Sequence, residues 1–149
     1  MLPPTDSSQL VNIGDPKVGL AQMRDCIRAV HARGDLHFAL LNLVSTFIDG
    51  LSGGPPSNTK KAYLDYLAQN FPELCASLGA EVFFSNYRCK AVHEFGLKEG
   101  FAIGRDSGLH GAYVDTQLVT DLNRQNTVLN IDRLVQGFLT HLEGLIARA

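Results

Sequence analysis

The stretch DLHFALLNLVSTFID, from Asp35 to Asp49, decides the fold class of this chain. Placed on a helix, its apolar side chains fall on nearly every face, which is typical of a helix surrounded by other helices. Asn42, Ser45 and Thr46 interrupt the apolar run, which is also too short to cross a lipid bilayer. The stretch therefore predicts the central helix of a mainly α domain, and no membrane partner is expected.

Residues that favour helix starts and stops punctuate the rest of the chain. They are, in chain order, Asp15-Pro16, Gly34, Asn58 or Thr59, Pro72, Gly79, and Asn130 or Asp132. Gly79 can divide the helical stretch that Pro72 opens. From Ile131 to Ile146, apolar residues recur at three- and four-residue intervals, which is the strongest helical pattern in the sequence. Together these signals predict about five helices.

The segment from Gly96 to Thr127 has a different character. Five glycines separate short apolar pieces, and the sequence RDSG, from Arg105 to Gly108, favours a turn. We expect a small β-hairpin here, to which TVLNI, residues 127–131, can add a short strand. The predicted fold is mainly α, an up-and-down helical bundle of about five helices with a small β-hairpin excursion before the last helix. A single domain covers residues 1–149, and residues 1–15 are expected to be a flexible N-terminus.

The composition narrows the classes of partner and compartment. Of the 149 residues, 45% are hydrophobic and 19% are charged, with a net charge of −2, so no basic surface for duplex DNA is expected. The low charged fraction favours a homodimer, in which a second copy covers apolar surface. The three cysteines form no CxxC pair and no signal peptide pattern opens the chain, which predicts a cytoplasmic protein. Metal-binding histidine spacings and phosphate-loop triplets are absent from the sequence, so we predict neither a metal nor a cofactor.

One chemical signal lies in YRCKAVHEFG, from Tyr87 to Gly96. Arg88 and His93 stand five positions apart inside an apolar run. In a regular helix such residues point about 140° away from each other. They can converge if the helix ends here, which Gly96 favours, or if two copies of the helix meet across a two-fold axis.

Arg88 and His93, in the sequence RCKAVH, resemble the R-x4–6-H motif of the HEPN superfamily of helical domains. The order of the predicted helices is similar to that of the HEPN bundle, roughly from Val18 to Ala149. The resemblance implies a homodimer with the motif at its interface and, for active members, metal-independent cleavage of RNA. In that chemistry His93 would act as general base or acid on the ribose 2′-hydroxyl or the leaving oxygen. Arg88 would hold the phosphate and stabilise charge on the transition state.

Two positions depart from the family pattern. Active members usually place Asn, Asp or His directly after the arginine, where this chain has Cys89, and a thiol is a weak hydrogen-bond donor. In a related branch, paired with a nucleotidyltransferase antitoxin, a modifiable Tyr stands two positions after the histidine, where this chain has Phe95. These departures favour a non-catalytic or weakly active interaction module that dimerises through the Arg88/His93 region. The alternative is a metal-independent endoribonuclease, of toxin or RNA-processing type, that uses both residues.

A purely structural role for the pair stays open beside these two hypotheses. Arg88 can pair with a carboxylate, because a buried guanidinium needs a partner, and His93 can cap the last turn of its helix. The carboxylates available for Arg88 are Asp49, Glu81 and Glu94. The residues predicted to contribute to binding around the pair are Tyr87, Lys90, Glu94 and Asp49. The predicted partners are a second copy of the chain, RNA, or an antitoxin-like protein.

Overall fold

The computed structural model describes residues 3, 6, 14–53, 59–94, 96–119 and 123–149, and within these the chain is mainly helical with a small three-stranded sheet. The helices are α1 (Pro16–Arg33), α2 (His37–Leu51), α3 (Lys60–Asn70), α4 (Pro72–Ser77), α5 (Ala80–Val82), α6 (Cys89–Glu94), α7 (Asp106–Leu109) and α8 (Ile131–Arg148). A π-helix, Phe83–Arg88, joins α5 to α6 without a break. The strands are β1 (Phe101–Gly104), β2 (Val114–Val119) and β3 (Arg124–Asn130).

The first helix begins and ends where the sequence predicts. The Asp15 carboxylate accepts a hydrogen bond of 3.0 Å from the backbone N–H of Lys17, and Pro16 occupies the first helical position. Gly34 closes α1 at φ 75°, a left-handed conformation that glycine adopts without steric cost. The predicted flexible segment, residues 1–15, lies outside the described residues except for positions 3, 6, 14 and 15.

Side-chain caps fix two further helices, and a glycine divides a third. Thr59 accepts from the Ala62 N–H at the start of α3, and Asn130 accepts from the Arg133 N–H at the start of α8. Gly79, at φ 94°, separates α4 from α5, as its place in the sequence indicates. Helix α2 begins at His37, two positions later than predicted, because the chain passes through Leu36 in a non-helical conformation.

The core surrounds α2. Helix α2 contacts α1, α8, the π-helix and α6. Four of its apolar side chains are at most 2% exposed, namely Leu40, Leu41, Val44 and Ile48. The ring of Phe138 on α8 stacks between Phe47 and Phe71, with centroid distances of 6.3 Å on both sides. Burial on several sides explains why α2 reads as apolar all round. No helix in the described part of the chain has the length and hydropathy to cross a membrane.

The segment before α8 is more structured than the sequence indicates. Strand β3 is central, with β1 parallel on one side and β2 antiparallel on the other. Residues 105–108, predicted as a turn, mostly belong to the short helix α7, in which the His110 N–H donates to the Asp106 carbonyl. A helix of four residues has no apolar period that a sequence could display, which is why the turn prediction is wrong there.

Candidate functional site

The Arg88 motif lies on a helix whose winding changes at the motif. The Cys89 N–H donates to the carbonyl of Phe84, five residues earlier, whereas an α-helix uses the residue four earlier. Arg88 is the last residue of this π-helix, and the α-helical pattern resumes at Cys89. Single π turns inside helices occur frequently at functional sites, and this one sets the direction in which Arg88 leaves the helix.

The guanidinium of Arg88 binds the carboxylate of Asp49, the last polar residue of α2. Nη2 donates to Oδ1 at 2.9 Å and to Oδ2 at 2.7 Å, and Nε donates to Oδ2 at 3.2 Å. The side chains of Arg88 and Asp49 are 14% and 15% exposed. Fork-to-fork pairs of this kind are short, directional and stronger than neutral hydrogen bonds. Among the described carboxylates that the sequence offers Arg88, it is Asp49 that binds it in the structure.

Two aromatic rings and a thiol complete the surroundings of Arg88. The central guanidinium carbon lies 5.0 Å from the ring centroid of Phe84 and 5.6 Å from that of Tyr63, which is cation–π range. Nη1 donates to the sulfur of Cys89 at 3.4 Å. Burial works to lower the pKa of Arg88, but the hydrogen bonds to Asp49 and Cys89 outweigh it and raise the pKa, so the guanidinium stays charged. The donors of Arg88 are thus already engaged within the chain.

The other residues predicted around the pair fall in different places. Tyr87 is fully buried and its hydroxyl donates to the carbonyls of Ala102 and Thr127, so it joins the π-helix to the sheet and has no surface left for a ligand. Burial raises its pKa, and the phenol stays protonated as those bonds require. Lys90 is partly exposed on α6. The backbone of His93 and Glu94 is helical, but their side chains lie outside the described residues, as does Phe95.

A second polar cluster, centred on Asp132, was not predicted. One carboxylate oxygen of Asp132 is 2.7 Å from His31 Nε2, and the other accepts from Arg105 Nε and the Asp106 N–H at 2.8 Å each. No spacing in the sequence links His31 to a residue 101 positions away. Burial acts to raise the pKa of Asp132, but these hydrogen bonds outweigh it and lower the pKa to about 2. Asp132 is therefore a carboxylate that stays ionised.

The described residues contain no group of three histidine, cysteine or acidic side chains arranged to hold a metal ion. Comparison of the chain with protein-family models, curated proteins and solved structures finds no match. Of the two polar clusters in the structure described above, the sequence predicts only the one around Arg88.

Proposed function

We propose that the chain is a HEPN-like interaction module with an up-and-down helical bundle, in which Arg88 stabilises the fold instead of binding a phosphate. The observation that carries this proposal is the bidentate Arg88–Asp49 pair, with both side chains about 85% buried. A carboxylate and a phosphate occupy the same fork of a guanidinium. Arg88 could contact RNA only after it had left Asp49, and Asp49 would then be a partly buried carboxylate without that partner.

The test of the non-catalytic role is an RNA cleavage assay with four purified proteins. Structured RNA is incubated without divalent metal with wild type, His93→Ala, Asp49→Ala and Arg88→Met, and cleavage is followed on a denaturing gel. We expect the same background in all four. Cleavage by wild type that disappears in His93→Ala would show that the chain is an endoribonuclease and would overturn the proposal.

The Asp49→Ala variant makes this experiment more informative. If the Asp49 pair is what keeps Arg88 from RNA, its removal frees the guanidinium, and RNA binding by electrophoretic mobility shift should increase. The double variant Asp49→Ala/Arg88→Met is the matched control, since it removes the same carboxylate without freeing a cation. Equal RNA binding by both variants would mean that Arg88 has no capacity for phosphate even when unpaired.

The partner we propose first is a second copy of the chain, which meets the Arg88/His93 region across a two-fold axis. The low charged fraction of 19% supports this, because a small domain with few charges is well suited to covering part of its surface. Light scattering at micromolar concentration should give a mass twice the 16.2 kDa of the chain. Lys90→Glu, a charge reversal on the partly exposed part of α6, should weaken the dimer, while Lys61→Glu on α3 should not. A monomeric wild type that captures no partner in a pull-down would contradict the role as an interaction module.

A further inference from the structure

A cavity of about 610 Å³ lies between α1 and α8, beside the turn that follows α7. Arg28 and His31 of α1 and Asp106 of α7 contribute polar groups, and Val135 and Leu139 of α8 contribute an apolar wall. Small-molecule sites usually have volumes of roughly 300–1,000 Å³ and combine apolar walls with a few fixed polar groups. The cavity shares no residue with the Arg88 site, so a role for it is independent of the proposed function.

Asp132 fixes two of the polar groups that line this cavity. His31 bonds one of its carboxylate oxygens, and the backbone N–H of Asp106 bonds the other. Arg105 Nε also donates to the Asp132 carboxylate, and Arg105 Nη1 donates to the Gly34 carbonyl at the end of α1, at 2.8 Å each. The imidazole of His31 and the start of α7 are therefore held against one carboxylate, as the polar groups of a preorganised site must be.

The same bonds decide which nitrogen of His31 carries the proton. Because Asp132 is ionised, it can only accept, and His31 Nε2 must be the donor in their 2.7 Å contact. In the neutral imidazole, Nδ1 then carries the lone pair. Asp132 is the hydrogen-bond partner of His31 among the described residues. The neutral form of His31 can therefore accept one further hydrogen bond at Nδ1.

The charges around the cavity are not balanced. The cations are already paired, since Arg28 binds Glu143 at 3.0 Å and Arg105 binds Asp132. Arg24 adds a second cation to Glu143 at 3.6 Å but lies closer to Asp25, at 3.0 Å. The carboxylate of Asp106 accepts only from the neutral amide of Asn130, at 2.9 Å, and within the described part of the chain it has no cationic partner. The carboxylates that line the cavity thus outnumber the arginines that bind them by one, and the one in excess is Asp106.

We propose that this cavity is a binding site for an organic amine. The ammonium group would donate to the Asp106 carboxylate, which the Asn130 amide holds, and to Nδ1 of the neutral His31 imidazole, which Asp132 holds. The carbon stem would lie on Val135 and Leu139, which line the same cavity. A phosphate or carboxylate ligand is disfavoured, because the arginines near the cavity are already paired and the remaining carboxylate repels an anion.

Three ligands with the same stem test the chemistry of the head group. Hexylamine, hexanoate and hexanol are titrated into the whole chain, and binding is read from the methyl NMR resonances of Val135 and Leu139. We expect saturable shifts with hexylamine, at least tenfold tighter than with either of the others. Hexanoate or hexanol binding as tightly as hexylamine would overturn the amine as ligand, and no saturable shift with any of the three at millimolar concentration would overturn the site.

Two matched carboxylate-to-amide variants test the location. Asp106→Asn keeps an oxygen that can accept the hydrogen bond from Asn130 but removes the excess negative charge. The affinity for hexylamine should therefore fall at least tenfold. Asp65→Asn makes the same change on the exposed side of α3 and should leave the affinity unchanged. Circular dichroism checks that both variants are folded. Wild-type affinity in a folded Asp106→Asn protein would contradict the proposal.

Discussion

The Arg88–Asp49 pair should be strongly coupled in folding, and a double-mutant cycle measures this coupling. Removing one partner of a buried ion pair typically costs about 3–5 kcal/mol, because the other charge is left without compensation. Both side chains keep about 15% of their surface in water, so we expect the lower end, about 3 kcal/mol, for Asp49→Ala and for Arg88→Met alone. In the double variant no unpaired charge remains, so its loss should not exceed that of either single variant, about 3 kcal/mol, and should fall well short of the sum of about 6.

The assay is urea unfolding followed by circular dichroism, with the free energy of unfolding extrapolated to water and the slope compared among the four proteins. The expected coupling free energy is at least about 3 kcal/mol. The matched control is the Lys61–Asp65 pair, an i,i+4 pair on α3 with side chains 84% and 55% exposed, for which we expect no measurable coupling. Single losses at Arg88 and Asp49 that simply add would refute this coupling and show that the pair behaves like an exposed salt bridge.

Three further predictions concern stability. Because the pKa of Asp132 is lowered, this partly exposed group contributes about 1–2 kcal/mol to the free energy of unfolding above about pH 4, and the contribution is lost as the pH falls towards 2. Urea unfolding across this pH range checks the loss, and Asp132→Asn should reduce the dependence of stability on pH. Gly137→Ala should destabilise the protein by about 1–3 kcal/mol, because the added Cβ would lie 2.5 Å from the hydroxyl of the buried Tyr113. Gly19→Ala, with open space around the added Cβ, should stabilise the protein by up to about 1 kcal/mol. Melting temperatures that shift in the same direction for both variants would contradict this prediction. Phe138→Ala should cost about 3–5 kcal/mol, because the ring is fully buried between two others, and a loss below about 1 kcal/mol in urea unfolding would show that the stack contributes little.

Helices with a long apolar pattern and a side-chain cap could be predicted from the sequence. Residues that act on their immediate neighbours, such as Asp15 on Lys17 and Asn130 on Arg133, carry out the capping that their positions predict. The sheet could be predicted only in part, because β1 and β3 are joined by a parallel pairing of Phe101 with Thr127 that leaves no local signal. The π-helix could not be predicted either, because no residue type in its sequence, FFSNYR, indicates the wider helical turn.

The candidate site shows the same division between local and distant information. The sequence identifies Arg88 as a guanidinium that needs a carboxylate, and it offers three. Choosing among them requires the position of α2 relative to the π-helix, which is a tertiary fact; Glu81, one of the three, instead pairs with Lys60. The contact between His31 and Asp132 is equally distant in sequence, so it could not be predicted before α1 and α8 were seen to pack together.

The strength of the Asp49 pair also bears on the resemblance to a nuclease motif. If the coupling is about 3 kcal/mol, a phosphate that displaces Asp49 from Arg88 must supply that free energy, which corresponds to a loss of roughly 100-fold in affinity. A chain with a net charge of −2 has little electrostatic binding energy for RNA from which to supply it. A nuclease would be expected to leave its phosphate-binding arginine unpaired, whereas a folded module benefits from every buried charge being compensated. The Arg88–Asp49 geometry therefore favours the module over the enzyme for a physical reason that is separate from the changes at Cys89 and Phe95.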